Sequence, residues 1–222
     1  RYYQYRDRRT GEIAEFDLDV LRNDTKHPYR LQVEQYKLTQ LIWKILERDY
    51  AHLSKCLLNH MVKGVYQTAD GVEVLAWEGM TERLFEGSFV LACDGSDSAV
   101  RKAMAIPFEG FTYPERFLVA STEFPLETKF DRLALVNYVS DPDEWLVLLR
   151  TPSVWRVLIP TDPKIEDDNY FLSDRWIQDR LHHMAPHDSD YPLAHRSIYR
   201  VHQRVAKIWR RGRVLLAGDS AH

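Results

Sequence analysis

The stretch GRVLLAGDSAH, Gly212 to His222, closes the sequence and decides how the rest of it reads. Val214 to Ala217 form a short apolar run, the pattern of a buried strand. The run delivers Gly218-Asp219 at its carboxyl end, with the small residues Ser220 and Ala221 behind. Ligands of open α/β sheets bind outside the carboxyl ends of the strands, and an acidic residue there accepts from ribose-type hydroxyls. A second stretch, SFVLACDGSDSAVR from Ser88 to Arg101, has the same layout. An apolar strand runs into Asp94-Gly95, and Ser96, Asp97 or Ser98 is then a candidate cap for a helix. One such dipeptide is an ordinary turn. Two of them, each ending an apolar strand, weigh against that reading.

Outward from these two motifs the chain alternates strands and helices. Arg1–Asp7 and Ile13–Asp19 read as strands joined through Thr10-Gly11-Glu12. Leu38, Leu41, Ile42, Ile45 and Leu46 recur at helical spacing and predict a helix over 35–50. Residues 62–68 and 72–77 form a predicted hairpin in which Asp70-Gly71 supplies positive φ angles. Beyond Pro107, residues 117–123, 133–139, 144–150 and 154–160 are short strands in an antiparallel meander. One amphipathic helix is predicted over 169–184, and a strand over 198–206. The fold class is α/β, with a mostly antiparallel sheet in the middle of the sequence.

Composition narrows the function. The 222 residues are 45% hydrophobic and 28% charged with a net charge of −3, so a globular enzyme fits and a nucleic-acid footprint does not. The densest basic run, Lys207 with Arg210, Arg211 and Arg213, reads as a solvated loop. No apolar run reaches the ~18 residues of a membrane span. Cys56 and Cys93 form no CxxC, which fits a reduced, cytoplasmic setting, and Cys93 reads as a buried small hydrophobe.

CDGSDSAVR and GRVLLAGDSAH resemble the DG and GD motifs of the single-component flavoprotein monooxygenases, the aromatic hydroxylases similar to para-hydroxybenzoate hydroxylase. YRLQVEQYKL, Tyr29 to Leu38, resembles that family's segment in which a Gln opens a helix along the flavin's ribityl chain. FEGFTYPERFLVAST, Phe108 to Thr122, stands where the family enters its substrate-domain sheet. The resemblance implies FAD as cofactor, NAD(P)H as electron donor, and O2 with a small phenolic compound as substrates, joined through a flavin C4a-hydroperoxide. It implies that Asp219 accepts from a ribityl hydroxyl, Gly218 permits close approach, and Gln35 bonds the ribityl chain. It implies that Asp94, Gly95 and Arg101 support the pyrophosphate side and the nicotinamide groove, with Arg30 a charged neighbour. Residues 29–104 and 204–222 would form the FAD half, and 1–28 with 105–203 the substrate half. His195, Tyr138 and Arg150 are candidates to polarise a phenol, and no catalytic acid or base is assigned. The sequence departs from the family in having no GxG, so it reads as the interior of a longer protein, expected to be inactive and to bind FAD poorly by itself.

Two other chemistries compete. Ser220 in GDS could be a hydrolase nucleophile, but only His222 follows it as a base. His182, His183 and His187 with Asp188 and Asp190 could hold a metal, but adjacent histidines on a helix point about 100° apart. A non-catalytic flavoprotein fragment or binding module is the remaining alternative.

Overall fold

A computed structural model describes residues 1–222. The first elements in chain order are β1 (Tyr2–Asp7), β2 (Gly11–Asp17), α1 (Gln35–Asp49), β3 (His60–Gln67), β4 (Val72–Glu78) and β5 (Thr81–Gly87). Next come β6 (Val90–Ala92), α2 (Ala99–Ala103), β7 (Phe108–Thr122), β8 (Val136–Ser140), β9 (Leu146–Arg150) and β10 (Trp155–Pro160). The last are α3 (Asp168–Leu172), α4 (Asp174–Met184), β11 (Leu193–Ala206), β12 (Arg210–Arg211) and β13 (Val214–Leu216). The class is mixed α/β, as the sequence predicts.

By packing, the chain divides into one unit of Arg1–Arg48 with Pro114–Val201 and another of Asp49–Tyr113 with His202–His222. These limits differ from the predicted domain boundaries at residues 29–48, which hold nearly all of α1, and at 105–113. Gln32 bonds the Leu135 carbonyl, and Glu34 and Lys37 bond Thr151 and Ser153, so residues 29–48 group with the first unit.

The first unit is built on a seven-stranded sheet of order β11-β7-β10-β9-β8-β1-β2. β8, β9, β10 and β7 pair antiparallel, and β1 joins β8 in parallel. Strand period two sorts the side chains. Leu118, Leu148, Trp155, Val157 and Ile159 are buried in one core with Phe171 of α3 and Ile177 and Leu181 of α4. Each such side chain contributes about 1.5–3 kcal/mol by leaving water. The alternate residues Val119, Leu158, Val147, Tyr138 and Tyr5 are register partners in one row across the sheet.

The second unit carries the antiparallel meander β3-β4-β5 and the small sheet β12-β13-β6, in which β13 and β6 are parallel. Its core is Val65, Val72, Val100, Ile106, Val214 and Leu216. Gly110, at φ +130, passes so close to Gln203 that a Cβ would stand 2.0 Å from the Gln203 carbonyl oxygen.

Several local expectations change. The helix predicted over 169–184 is two helices, because Ser173 is extended and its hydroxyl caps α4 at Trp176 N–H. Neither Asp70 nor Gly71 has a positive φ; the turn is closed instead by Thr68, which exchanges bonds with Gly71. Within the β3-β4-β5 meander the left-handed glycine is Gly79, at φ +63 in the turn into β5, a strand whose sequence TERLFEG has no clean alternation. Cys93 is exposed rather than buried, because β6 ends at Ala92 and the chain turns out into the Asp94 loop.

Candidate active site

The two motifs meet at the ends of adjacent strands. β6 and β13 run parallel in the register Val90–Val214, Leu91–Leu215 and Ala92–Leu216. Their carboxyl ends therefore deliver Asp94-Gly95 and Gly218-Asp219 side by side. Ala217 N–H continues the ladder to the Ala92 carbonyl at 2.9 Å. Gly218 has φ +58 and Gly95 φ +83, where an L side chain is strained, and a Cβ at either would meet nothing within 4 Å. The glycines thus serve the turn itself and leave open space on its outer side.

The predicted residues divide by what their polar atoms do. The exposed Asp219 carboxylate takes no hydrogen bond from the chain, so its acceptor oxygens remain available to a ligand. The Asp94 carboxylate accepts Ser98 Oγ at 2.6 Å and the Val100 N–H at 3.1 Å, and so organises the loop into α2. Ser98 is the helix cap, accepting the Arg101 N–H at 2.9 Å. Asp97 instead pairs with Lys102 at 2.5 Å, a hydrogen bond that holds its carboxyl below the usual range.

Arg101 is 5% exposed. Its guanidinium donates to the Ser96 carbonyl at 2.6 Å and the Ser220 carbonyl at 3.0 Å, and lies 3.8 Å from the Phe108 ring centroid. It therefore ties the DG loop to the GD turn, a clamp that the sequence alone does not disclose. Ser220 is fully buried, and its hydroxyl donates toward the Ala92 and Ala217 carbonyls while accepting the Ala217 N–H. That hydroxyl has no adjacent base and no approach for an electrophile, which removes the hydrolase reading. His222 stacks on Trp209 with centroids 5.5 Å apart.

The remaining candidates lie in the first unit. Gln35 is the first residue of α1, exposed, on the rim of a cavity of about 520 Å³ that Arg156, Ser121 and His195 also line. Arg30, Arg150 and Tyr138 line a second cavity of about 600 Å³ together with Tyr2, Tyr3 and Tyr5. Tyr5 stacks on Tyr138 at 5.2 Å, and Tyr3 on Phe16 at 4.8 Å, giving that cavity flat aromatic walls. No Asp or Glu lines it. Sequence reasoning did not find Glu34, which anchors the start of α1. Its carboxylate accepts Thr151 Oγ1 at 2.9 Å and the Ser153 N–H at 3.1 Å, and pairs with Lys37 at 2.7 Å. The Lys37 ammonium is the main reason its carboxyl is lowered to about 2.

The FAD binding domain family model matches residues 5–222. The chain is similar to para-nitrophenol 4-monooxygenase of Pseudomonas sp. (strain WBC-3), with 35% identity over 225 residues covering 99% of this chain and 54% of that protein. It is similar to 6-hydroxy-3-succinoylpyridine 3-monooxygenase of Pseudomonas putida (strain DSM 28022 / S16), with 29% identity covering 99% of this chain and 55% of that protein. Among solved structures, p-nitrophenol 4-monooxygenase from Pseudomonas putida DLL-E4 matches with a TM-score of 0.86 and 30% identity, covering 100% of this chain and 55% of that one. Aklavinone-11 hydroxylase shares the fold, with a TM-score of 0.82 at 18% identity over 99% of this chain and 43% of that one. The chain spans about half the length of the curated relatives it matches.

Proposed function

Since the chain belongs to the FAD binding domain family, we propose that it serves an FAD-dependent monooxygenase that uses NAD(P)H and O2 to hydroxylate a small phenolic ring. The observation that carries the reading is the unbonded Asp219 carboxylate on a left-handed Gly218 turn, beside Asp94-Gly95 at the end of the neighbouring parallel strand. The residues fit the cofactor. Asp219 and Gln35 have free polar atoms and would hold the ribityl chain. Asp94, Gly95 and Arg101 would shape the loop on the pyrophosphate side, since the Asp94 carboxylate and the Arg101 guanidinium already bond to this chain's own groups. FAD, when bound, supplies the electron transfer from NAD(P)H and the activation of oxygen.

The chain's own work is to bind, orient and shield. Most of residues 29–104 and 204–222 would serve the cofactor, and 1–28 with 105–203, joined by Arg30–Gln32, the substrate. The tyrosine walls of the 600 Å³ cavity suit the faces of an aromatic ring. The Tyr138 hydroxyl could donate to a ring oxygen, and Arg150 and Arg30 favour a phenol in its ionised form. Removing water from around the ring keeps reactive oxygen from being wasted. No helix is long and apolar enough to cross a membrane, which is compatible with a cytoplasmic enzyme. The relatives' names, p-nitrophenol and hydroxypyridine monooxygenases, support a single-ring hydroxylated substrate.

The test is Asp219→Ala in the complete protein. Loss of a charged acceptor from ligand hydroxyls is worth ~1.5–3 kcal/mol, so FAD affinity should fall by a factor of roughly 10 to 100. Because Asp219 makes no bond within the chain, thermal stability of the FAD-free form should stay unchanged. An FAD affinity equal to wild type in a fluorescence titration would remove Asp219 from the cofactor site.

A further inference from the structure

The two cavities of the first unit share a partition. Arg30–Gln32 and Thr151–Pro152 line the tyrosine-walled one, while Glu34–Tyr36 and Ser153–Val154 line the other. The extended segment before α1 and the turn between β9 and β10 therefore form one wall with a cavity on each side. What holds this wall together is Glu34. Its carboxylate takes the Thr151 hydroxyl at 2.9 Å and the Ser153 N–H at 3.1 Å, and Lys37 closes the ring by donating to Ser153 Oγ at 2.8 Å. The Glu34 side chain is 13% exposed, so these bonds are sheltered from competing water. Gln35 is the very next residue. It lies on the cavity rim, and its amide has no partner within the chain.

We propose that Glu34 is a positioning residue for the cofactor: by clamping the start of α1 to the 151–153 turn, it presents the Gln35 amide at the cavity rim in the orientation that meets FAD. The inference rests on the FAD role proposed for Gln35. A helix start that is free to shift against the 151–153 turn presents its first side chain in several positions, and a ligand that needs one of them loses affinity by the fraction populated. The clamp acts on the backbone one residue away, so its benefit to FAD exists only if Gln35 makes the contact.

That dependence defines the test. FAD dissociation constants are measured by flavin fluorescence for the complete protein in its apo form, for Glu34→Ala, Glu34→Gln, Gln35→Ala and the double variant Glu34→Ala/Gln35→Ala. Each alanine variant should weaken FAD by about 5–10-fold, the scale of one hydrogen bond, and the double variant should be no weaker than the worse single one, since coupled residues are not additive. Glu34→Gln keeps an oxygen that can accept from Thr151 and Ser153, and should restore most of the affinity. Should Glu34→Ala fail to fold, Lys37→Met removes the ionic arm and the bond to Ser153 Oγ but keeps the bonds of Glu34 to Thr151 and Ser153, and should give a smaller loss of affinity that again vanishes in the Gln35→Ala background. Losses that multiply in the double variants overturn the clamp, as does a Glu34→Ala protein with wild-type affinity while Gln35→Ala is weakened. If Gln35→Ala itself binds FAD as wild type does, the cofactor role of Gln35 fails, and the clamp's purpose fails with it.

Discussion

Arg101 offers the sharpest test of how the two motifs are held together. Its guanidinium is buried and reaches one carbonyl in each motif, Ser96 in the DG loop and Ser220 in the GD turn, while lying over Phe108. Arg101→Met removes a charged donor from both carbonyls. A hydrogen bond to a charged group is worth ~1.5–3 kcal/mol, and a desolvated cation over an aromatic ring up to about 2. Because these contacts share one side chain they do not add fully, and a loss of roughly 3–5 kcal/mol is expected. Arg101→Lys keeps the charge but not the fork. An ammonium can serve one carbonyl well and leaves the other short, so the loss should be ~1–3 kcal/mol. The assay is guanidinium denaturation followed by tryptophan fluorescence, with Trp77 and Trp209 reporting on the unit that contains Arg101. The loss must be present without any nucleotide, which separates a clamp from a phosphate ligand. If Arg101→Lys is as stable as wild type to within ~0.5 kcal/mol and is impaired only in cofactor binding, the clamp reasoning is refuted.

Three further outcomes follow from the geometry. Gly110→Ala drives a Cβ to 2.0 Å from the Gln203 carbonyl oxygen at φ +130, so a loss above ~4 kcal/mol or failure to accumulate folded protein is expected in a thermal melt; a melt like wild type would contradict it. Glu34 has its carboxyl lowered from 4.5 to about 2, so its stabilisation is complete above pH 4.5 and is lost as pH falls toward 2. The stability gap between wild type and Glu34→Gln should accordingly be flat at neutral pH and shrink over that acid window, and a gap that grows there would reverse the sign. Ser220 is sealed inside the GD turn, so a fluorophosphonate probe should leave it unlabelled, and stoichiometric labelling detected by mass spectrometry would revive the hydrolase reading.

The ends of β6 and β13 were readable from sequence because the signal is local. A short apolar run, a glycine that needs φ > 0 and a neighbouring carboxylate lie within a few residues of each other. The same holds for α1, whose apolar spacing predicts its span to within one residue, and for the meander from β8 to β10. What a side chain does with its polar atoms is not local. Arg101 looks like a free phosphate fork in sequence, and only the parallel pairing of β6 with β13 turns it onto the Ser220 carbonyl, 119 residues away in the chain. Glu34 looks like a solvated helix-start acid until the turn at Thr151 and Ser153, more than a hundred residues later, closes on it. Cys93 carries the apolar neighbours of a strand residue, yet β6 stops one position before it. Backbone preference and hydrophobic period are set by neighbours along the chain, whereas the partner of a buried charge is set by which distant carbonyl the packed strands bring within 3 Å. Tertiary structure alone therefore decided that the Asp219 carboxylate makes no bond within the chain, while Asp94 organises the loop into α2 and Arg101 ties that loop to the GD turn.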